Sequence, residues 1–173
     1  MRKEGKKMEL IDNIKNCIKN YIKNSNLNVE IDTSQEICNG ESYYCPTTKT
    51  LKIPVIDATF SQRNTSSDSL FKLSTIFHEC IHSTREALNR ETLEYDEEEC
   101  VAELGAYLFM QKISSALDRK MQVINDLQHF SYLSCWFNHT KGEEQYIDLT
   151  TYTKTLNYAK EAVNYILKVG GIQ

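Results

Sequence analysis

Apolar residues recur at helical spacing along most of this chain and alternate at strand spacing only over a short stretch before residue 54. Between Lys3 and Asn24, the residues Leu10, Ile11, Ile14, Cys17, Ile18, Tyr21 and Ile22 line one side of a predicted helix, with Lys15, Lys19 and Lys23 on the other. The plain reading of that lysine stripe is a solvated face; the functional one is a nucleic-acid contact. Asn28 to Asp32, Ser42 to Cys45 and Thr50 to Ile53 read as short strands, the last two joined by the turn residues Pro46 to Lys49. Tyr43, Tyr44, Leu51 and Ile53 supply strand-type side chains. Helical spacing returns from Ser66 to Arg85, with Leu70, Leu73, Phe77 and Ile81 as a core stripe and Phe71, Thr75, His78 and His82 as the stripe beside it. Ser66, Ser67 and Asp68 are its N-cap candidates.

A third helix is predicted from Tyr95 to Ile113. Glu99, Glu103, Ala106 and Met110 share one of its stripes, and Ala102, Gly105 and Ala106 are small enough to let another helix approach closely. Asp96, Glu97 and Glu98 fit an acidic first turn favoured by the helix dipole. Glu103 does not: it lies inside the run VAELGAYLFM, where a carboxylate must be paired or bound to a cation. Ala116 to Asn138 reads as a further helix with Val123, Ile124, Leu127, Phe130, Leu133 and Phe137 inside. His129 and His139, on or near it, suit packing or surface roles better than ligation, and Trp136 suits the core. A final helix from Ile147 to Val169 carries Leu156, Ala159, Ala162, Val163 and Ile166 inwards and stops at Gly170-Gly171.

These elements predict an α+β chain, mostly helical, with a small antiparallel-type sheet. Its 173 residues suit one domain, and 40% hydrophobic with 25% charged residues suits a soluble globular one. A net charge of −4 argues against a surface dedicated to polyanions. MRKEGKKMEL lacks the apolar core of a secretory signal, and no apolar run is long enough to span a membrane. The six cysteines (Cys17, Cys38, Cys45, Cys80, Cys100, Cys135) follow no zinc-ribbon or finger spacing. Reduced thiols in a cytoplasmic protein are the expectation, with Cys80 and Cys100 free and not ligands.

The candidate chemistry lies in HECIH, residues His78 to His82. Residues four apart on a helix share a face, so His78 and His82 can reach one metal ion. Glu79 is offset by about 100° from His78 and is placed to take a proton from a metal-bound water, the HExxH arrangement of zinc hydrolases. Two histidines spaced by chance are the alternative, but the apolar helix and the uncharged Cys80 and Ile81 between them favour the motif. Glu79 is thus the candidate catalytic residue and the helix at Tyr95 to Ile113 the one that brings a glutamate to the metal.

Several segments, in order, resemble the C-terminal zincin-like metallopeptidase domain of ArdC-type antirestriction proteins, which plasmids and phages carry. GESYYCPTTKTLKIP resembles that family's strand-turn-strand segment, and STIFHECIH its TLFHELxH stretch. ALNR at Ala87 to Arg90 resembles RLNR, and EECVAELGAYL resembles EELVAELGAAFL. YLSCWF and AKEAVNYIL resemble the closing YxxSW and AxxAADYIL stretches. Where the family often has a glycine-histidine pair after the motif, this chain has Ser83-Thr84-Arg85.

The resemblance implies one zincin-like domain over residues 1–173: an N-terminal helix with a basic face (1–25), a small sheet (28–54), metal-site helices (66–115) and C-terminal helices (116–169). It implies Zn²⁺, or another divalent transition metal, on His78, His82 and Glu99. Glu103 is then a supporting acid on a histidine N–H, or the alternative ligand, by analogy with the i, i+4 acid pairs of glutamate-ligand zincins. It also implies that the Thr50 to Ile53 strand is the edge that holds an extended peptide. The expected reaction is hydrolysis of a peptide bond in a protein or peptide substrate, with Glu79 as general base and Tyr44, Tyr107 or Tyr152 as oxyanion donor. ArdC-type proteins carry an N-terminal single-stranded-DNA-binding domain; only about forty residues precede the first matching segment here. Nucleic-acid binding is therefore expected to be weak or absent, and a membrane is not an expected partner. Two other readings are a non-hydrolytic antirestriction module that binds a protein partner, and a nucleic-acid-binding protein using its basic helix.

Overall fold

A computed structural model describes residues 2–32, 42–60, 67–113, 126, 129, 131 and 149–172. In chain order these form α1 (Arg2–Asn24), β1 (Asn28–Ile31), β2 (Tyr43–Cys45), β3 (Thr50–Ile53), α2 (Ile56–Thr59), α3 (Ser67–His82), α4 (Tyr95–Ile113) and α5 (Leu149–Val169). The result is a mostly helical α+β fold with one three-stranded sheet. The N-cap candidates of the predicted Ser66 to Arg85 helix, the bulk of the predicted Ala116 to Asn138 helix, His139, Trp136, Cys38 and Cys135 lie outside the described side chains.

The helices form where the apolar stripes predict them. Ile14, Cys17, Ile18, Tyr21 and Ile22 of α1 are buried, chiefly against α5, where Ala159, Ala162, Val163 and Ile166 face inwards. Both helices end in a backward-closing turn with one residue in the left-handed region. After α1 it is Asn26 at φ 52°, with the Leu27 N–H on the Ile22 carbonyl; after α5 it is Gly171 at φ 89°, with the Ile172 N–H on the Leu167 carbonyl.

The sheet has the order β1-β3-β2, with β2 antiparallel and β1 parallel to β3. The antiparallel-type expectation is thus corrected to a mixed sheet. Asn28 explains the sense of β1: its N–H donates to the Lys49 carbonyl at 2.9 Å and its Nδ2 to the Thr48 carbonyl at 3.0 Å. Both carbonyls lie in the β2–β3 turn, so β1 starts at the end where β3 starts and runs with it. A second correction follows. Thr50–Ile53 is the central strand, paired on both sides, and has no free edge to hold a peptide; β2 is the edge strand that touches α3.

Leu51 and Ile53 of β3 point into the core, which α3 and α4 share. α4 is buried on nearly every side, packed on both α3 and α5. Gly105 sets how close α3 and α4 come: a Cβ there would lie 2.6 Å from the side chain of Ile81. That close approach brings the acids of α4 to the histidines of α3.

Helix α3 ends at His82 and not at Arg85. The hydroxyls of Ser83 and Thr84 each donate at 2.7 Å to the carbonyls of Cys80 and Ile81, and the next backbone N–H groups bond three residues back. Such local side-chain bonds compete with continued helix. His82 is therefore a terminal residue of α3, whereas His78 lies a full turn inside it.

Candidate metal centre

His78 and His82 project from one face of α3 with their Nε2 atoms 3.0 Å apart. Glu99 arrives from the first turns of α4, with Oε2 3.4 Å from His78 Nε2 and Oε1 3.4 Å from His82 Nε2. Among the described residues these three form a group able to hold one ion. A tetrahedral ion about 2.0–2.1 Å from each ligand atom would separate those atoms by roughly 3.3 Å. The observed edges match that spacing, so the donor set and its dimensions fit a divalent metal.

The Nδ1 atoms settle which ring nitrogens are free to bind. His78 Nδ1 lies 3.2 Å from Glu103 Oε2, and His82 Nδ1 lies 3.4 Å from Glu98 Oε1. A carboxylate only accepts, so with a metal on the Nε2 side each Nδ1 would carry the proton and donate it to its acid, leaving Nε2 as the ligand atom.

Both supporting acids are themselves supported. His129 Nδ1 donates to Glu103 Oε1 at 2.6 Å, and its Nε2 meets Ser74 Oγ at 3.3 Å. Arg90 donates from Nε to Glu98 Oε2 at 3.1 Å and from Nη2 to Glu98 Oε1 at 2.8 Å. Arg90 is fully buried, at 1% exposure, and Nη2 also donates to the Ile81 carbonyl at 3.0 Å.

Glu79, Glu98, Glu99 and Glu103 are all buried, and Arg90 is the one buried arginine or lysine among the described residues. With neutral imidazoles this cluster carries excess negative charge, which is unstable in a low-dielectric interior without a cation. Without a metal, protons take that role. Burial opposes the imidazolium of His78, but hydrogen bonds to Glu103 and Glu99 outweigh it and raise its pKa to about 10. His82 is raised in the same way by Glu98 and Glu99 against the cost of burial. Burial pushes Glu99 up, but its bonds to both histidines hold it well below the usual carboxylate range. Glu79 goes the other way: burial raises its pKa, with the positive histidines and the Tyr44 backbone N–H pulling it partly back. A carboxyl shifted upwards is better matched to exchanging a proton near neutral pH than an ordinary glutamate.

The structure brings together His78, Glu79, His82, Glu99 and Glu103. Glu99 approaches both Nε2 atoms, whereas Glu103 meets His78 on the opposite ring nitrogen. Three participants were not read from the sequence as site residues. Glu98, expected as one of three acids favoured by the helix dipole in the first turn, does lie there but is 3% exposed and bonded to His82 and Arg90. Arg90 carried no periodic signal, since it lies in the loop between helices. Tyr95, 66% exposed, hydrogen-bonds Glu99 through its phenol one helical turn away.

His129 packs as expected and adds a bond to Glu103. Of the oxyanion candidates, Tyr44 reaches Glu79 through its backbone, Tyr107 stacks edgewise on the His129 ring at 5.4 Å, and Tyr152 is partly buried against the core. Cys80 and Cys100 are free and buried; burial pushes the Cys100 thiol up to about 12 and the Cys80 thiol higher still. In the lysine stripe, Lys15 pairs with Asp12 at 3.0 Å and Lys19 with Asp57 at 2.7 Å. No helix among the described residues is long and apolar enough to cross a membrane.

No protein-family model matches this chain, and no curated protein matches it. Among solved structures, the Mn(II)-bound crystal structure of the antirestriction protein ArdC from plasmid R388 is similar, with a TM-score of 0.51 at 15% identity. The likeness covers 89% of this chain and 52% of that one, so this chain spans about half the length of the ArdC structure. At that identity the likeness bears on the fold: this chain has an ArdC-like fold.

Proposed function

We propose that this chain is a zincin-like, metal-dependent hydrolase of a plasmid or phage that cuts a peptide bond in a protein substrate. One observation carries the reading. Two imidazole Nε2 atoms and a carboxylate converge at 3.0–3.4 Å, with a further buried carboxylate, Glu79, beside them that is not part of the ligand group. Three protein ligands plus an open position is the pattern of catalytic and not structural zinc. Zinc is the preferred ion for two nitrogens and an oxygen, though the same donors accept manganese, the metal in the similar ArdC structure.

An ion held there supplies Lewis acidity, activating a water and polarising an amide carbonyl. His78 and His82 keep Nε2 available because Glu103 and Glu98 hold the protons on Nδ1. Glu79 takes the proton of the attacking water and returns it to the leaving amine. The Tyr44 N–H orients the Glu79 carboxylate, tying the base to the edge strand β2. Free thiols at Cys17, Cys45, Cys80 and Cys100 support a reducing, cytoplasmic setting.

The test is Glu79→Gln in protein loaded with zinc. Loss of antirestriction or proteolytic activity with stoichiometric metal retained supports hydrolysis. Full antirestriction activity in that variant overturns it. That outcome moves the function to the second reading, a module that works by occluding a protein partner, which is also compatible with the antirestriction name of the similar structure. Nucleic-acid binding has little support, because Lys15 and Lys19 are engaged in ion pairs. Tight, salt-sensitive binding of a short single strand, abolished by charge reversal at Lys15, Lys19 and Lys23, would reinstate it.

A further inference from the structure

We propose that Arg90 is a positioning residue for the metal centre: it fixes the Glu98 carboxylate, which in turn holds His82 in the orientation that points Nε2 at the ion. The proposal rests on the reading of His78, His82 and Glu99 as metal ligands. His82 needs such a brace. It is the last residue of α3, followed by three-residue turns in place of a further α-helical turn, and helix ends are the first parts to fray. Its Nδ1 partner, Glu98, lies in the first turn of α4.

Arg90 bridges these two helix ends from the loop between them. Its Nε and Nη2 grip both oxygens of Glu98, which fixes the plane of the carboxylate as well as its distance. Its Nη2 is anchored on the Ile81 carbonyl, the residue before His82, so the guanidinium is tied to the same helix end whose histidine it braces.

The loop is folded to deliver it. Asn89 takes φ 53°, and the Arg90 N–H closes back on the Arg85 carbonyl at 2.9 Å, turning the chain inwards at that residue. Arg85 locks the turn, donating to the carbonyls of Arg90, Glu91 and Leu93 at 3.2, 3.0 and 2.8 Å. A buried arginine is costly unless its charge is paired, and here the countercharge is Glu98, the acid on His82, while Nη1 has no hydrogen-bond partner among the described residues. A lysine could not replace it: one ammonium cannot grip both carboxylate oxygens in a fork while reaching the carbonyl.

The full chain, stripped of metal, is titrated with Co²⁺ against a competing chelator, reading both affinity and the visible ligand-field band. Glu98→Gln and Arg90→Met are each expected to weaken Co²⁺ binding roughly 10–100-fold and to shift the band. Arg90→Lys is expected to recover only part of the loss. If Arg90→Met does not fold, Arg90→Met/Glu98→Gln removes both buried charges together. Because Arg90 acts through Glu98, that double variant should bind no more weakly than Glu98→Gln alone. Unchanged affinity and band in Arg90→Met, with only its melting temperature lowered, overturns the inference and leaves Arg90 a structural residue. A double variant at least tenfold weaker than Glu98→Gln overturns the route through Glu98. Failure of the parent chain to bind Co²⁺ overturns the metal reading itself and the inference with it.

Discussion

The two histidines of the candidate centre stand one turn apart on the same helix, yet different means hold them. His78 lies inside α3, with helical turns on both sides, and its acid Glu103 lies deep in α4 with His129 behind it. His82 is the terminal residue of α3, its acid Glu98 lies at the start of α4, and a loop arginine stands behind that acid. The contrast shows what a ligand borrows from its secondary structure. Inside a helix the backbone supplies most of the rigidity, and the outer acid has mainly to choose the tautomer. At a helix end only three-residue turns follow, so the backbone supplies less and the outer acid has more of the ring's orientation to fix. The support made of two bonds and a permanent charge is found at the end.

Glu99 spans both arms, so its removal should have the largest effect. Glu99→Ala, like His78→Ala/His82→Ala, is expected to lose stoichiometric zinc by elemental analysis of protein purified without chelator. The loss should exceed the roughly 10–100-fold expected for outer groups. Metal retained at one per chain in the double-histidine variant would break the comparison at its root.

Chelation is next in size. Metal at 100 times its Kd stabilises a protein by about 2.7 kcal/mol. For a chain of this length that corresponds to a melting temperature about 5–10 °C higher than in the chelated protein. An unchanged melting curve under chelator would mean that the buried acids balance their charge some other way. The two forms should also differ in their response to pH. The folded pKa of His78 is raised from 6.5 to about 10, so its protonation stabilises the metal-free fold fully below pH 6.5, and that contribution is lost as pH rises through about 10. The metal-free protein should therefore melt progressively lower across that window, and the loaded protein should not show this loss.

Glu103→Ala should weaken metal binding roughly 10–100-fold, and His129→Ala by about tenfold or less, because His129 acts on the acid of a histidine that the surrounding helix already holds. If the comparison of the arms is right, the matching pair on the other side, Glu98→Ala and Arg90→Met, costs more than its counterpart in a chelator competition series. Equal losses would show that position within α3 contributes nothing.

The seam between the arms is tested by stability and not by metal affinity. Gly105→Ala places a Cβ 2.6 Å from Ile81, and overpacking of this kind costs about 1–3 kcal/mol. Denaturant unfolding should register it, and Ile81→Val should recover part of it. Full wild-type stability in Gly105→Ala would mean that α3 and α4 have room to spare.

Much of this arrangement was legible in local pattern. The i, i+4 pair His78 and His82, the adjacent Glu79, the core stripe from Leu70 to Ile81 and the misplaced charge of Glu103 are all consequences of helical periodicity, which one segment carries by itself. The close approach of α4 was visible in Ala102, Gly105 and Ala106 for the same reason. Pairing between distant segments left no such trace. The parallel sense of β1 depends on which end of the β2–β3 turn Asn28 reaches, and the central place of β3 on pairing along both its edges. Glu98 looked like its neighbours Asp96 and Glu97 because a helix dipole welcomes any acid in its first turn. Only the return of the loop at Asn89, which carries Arg90 beneath the end of α3, separates Glu98, the acid bonded to His82 and Arg90, from the acids beside it. Sequence by itself determined the helices, their inner faces and most of the residues gathered at the candidate metal centre. Tertiary structure alone decided which acid meets which nitrogen, because that choice rests on contacts between segments whose spacing along the chain carries no period.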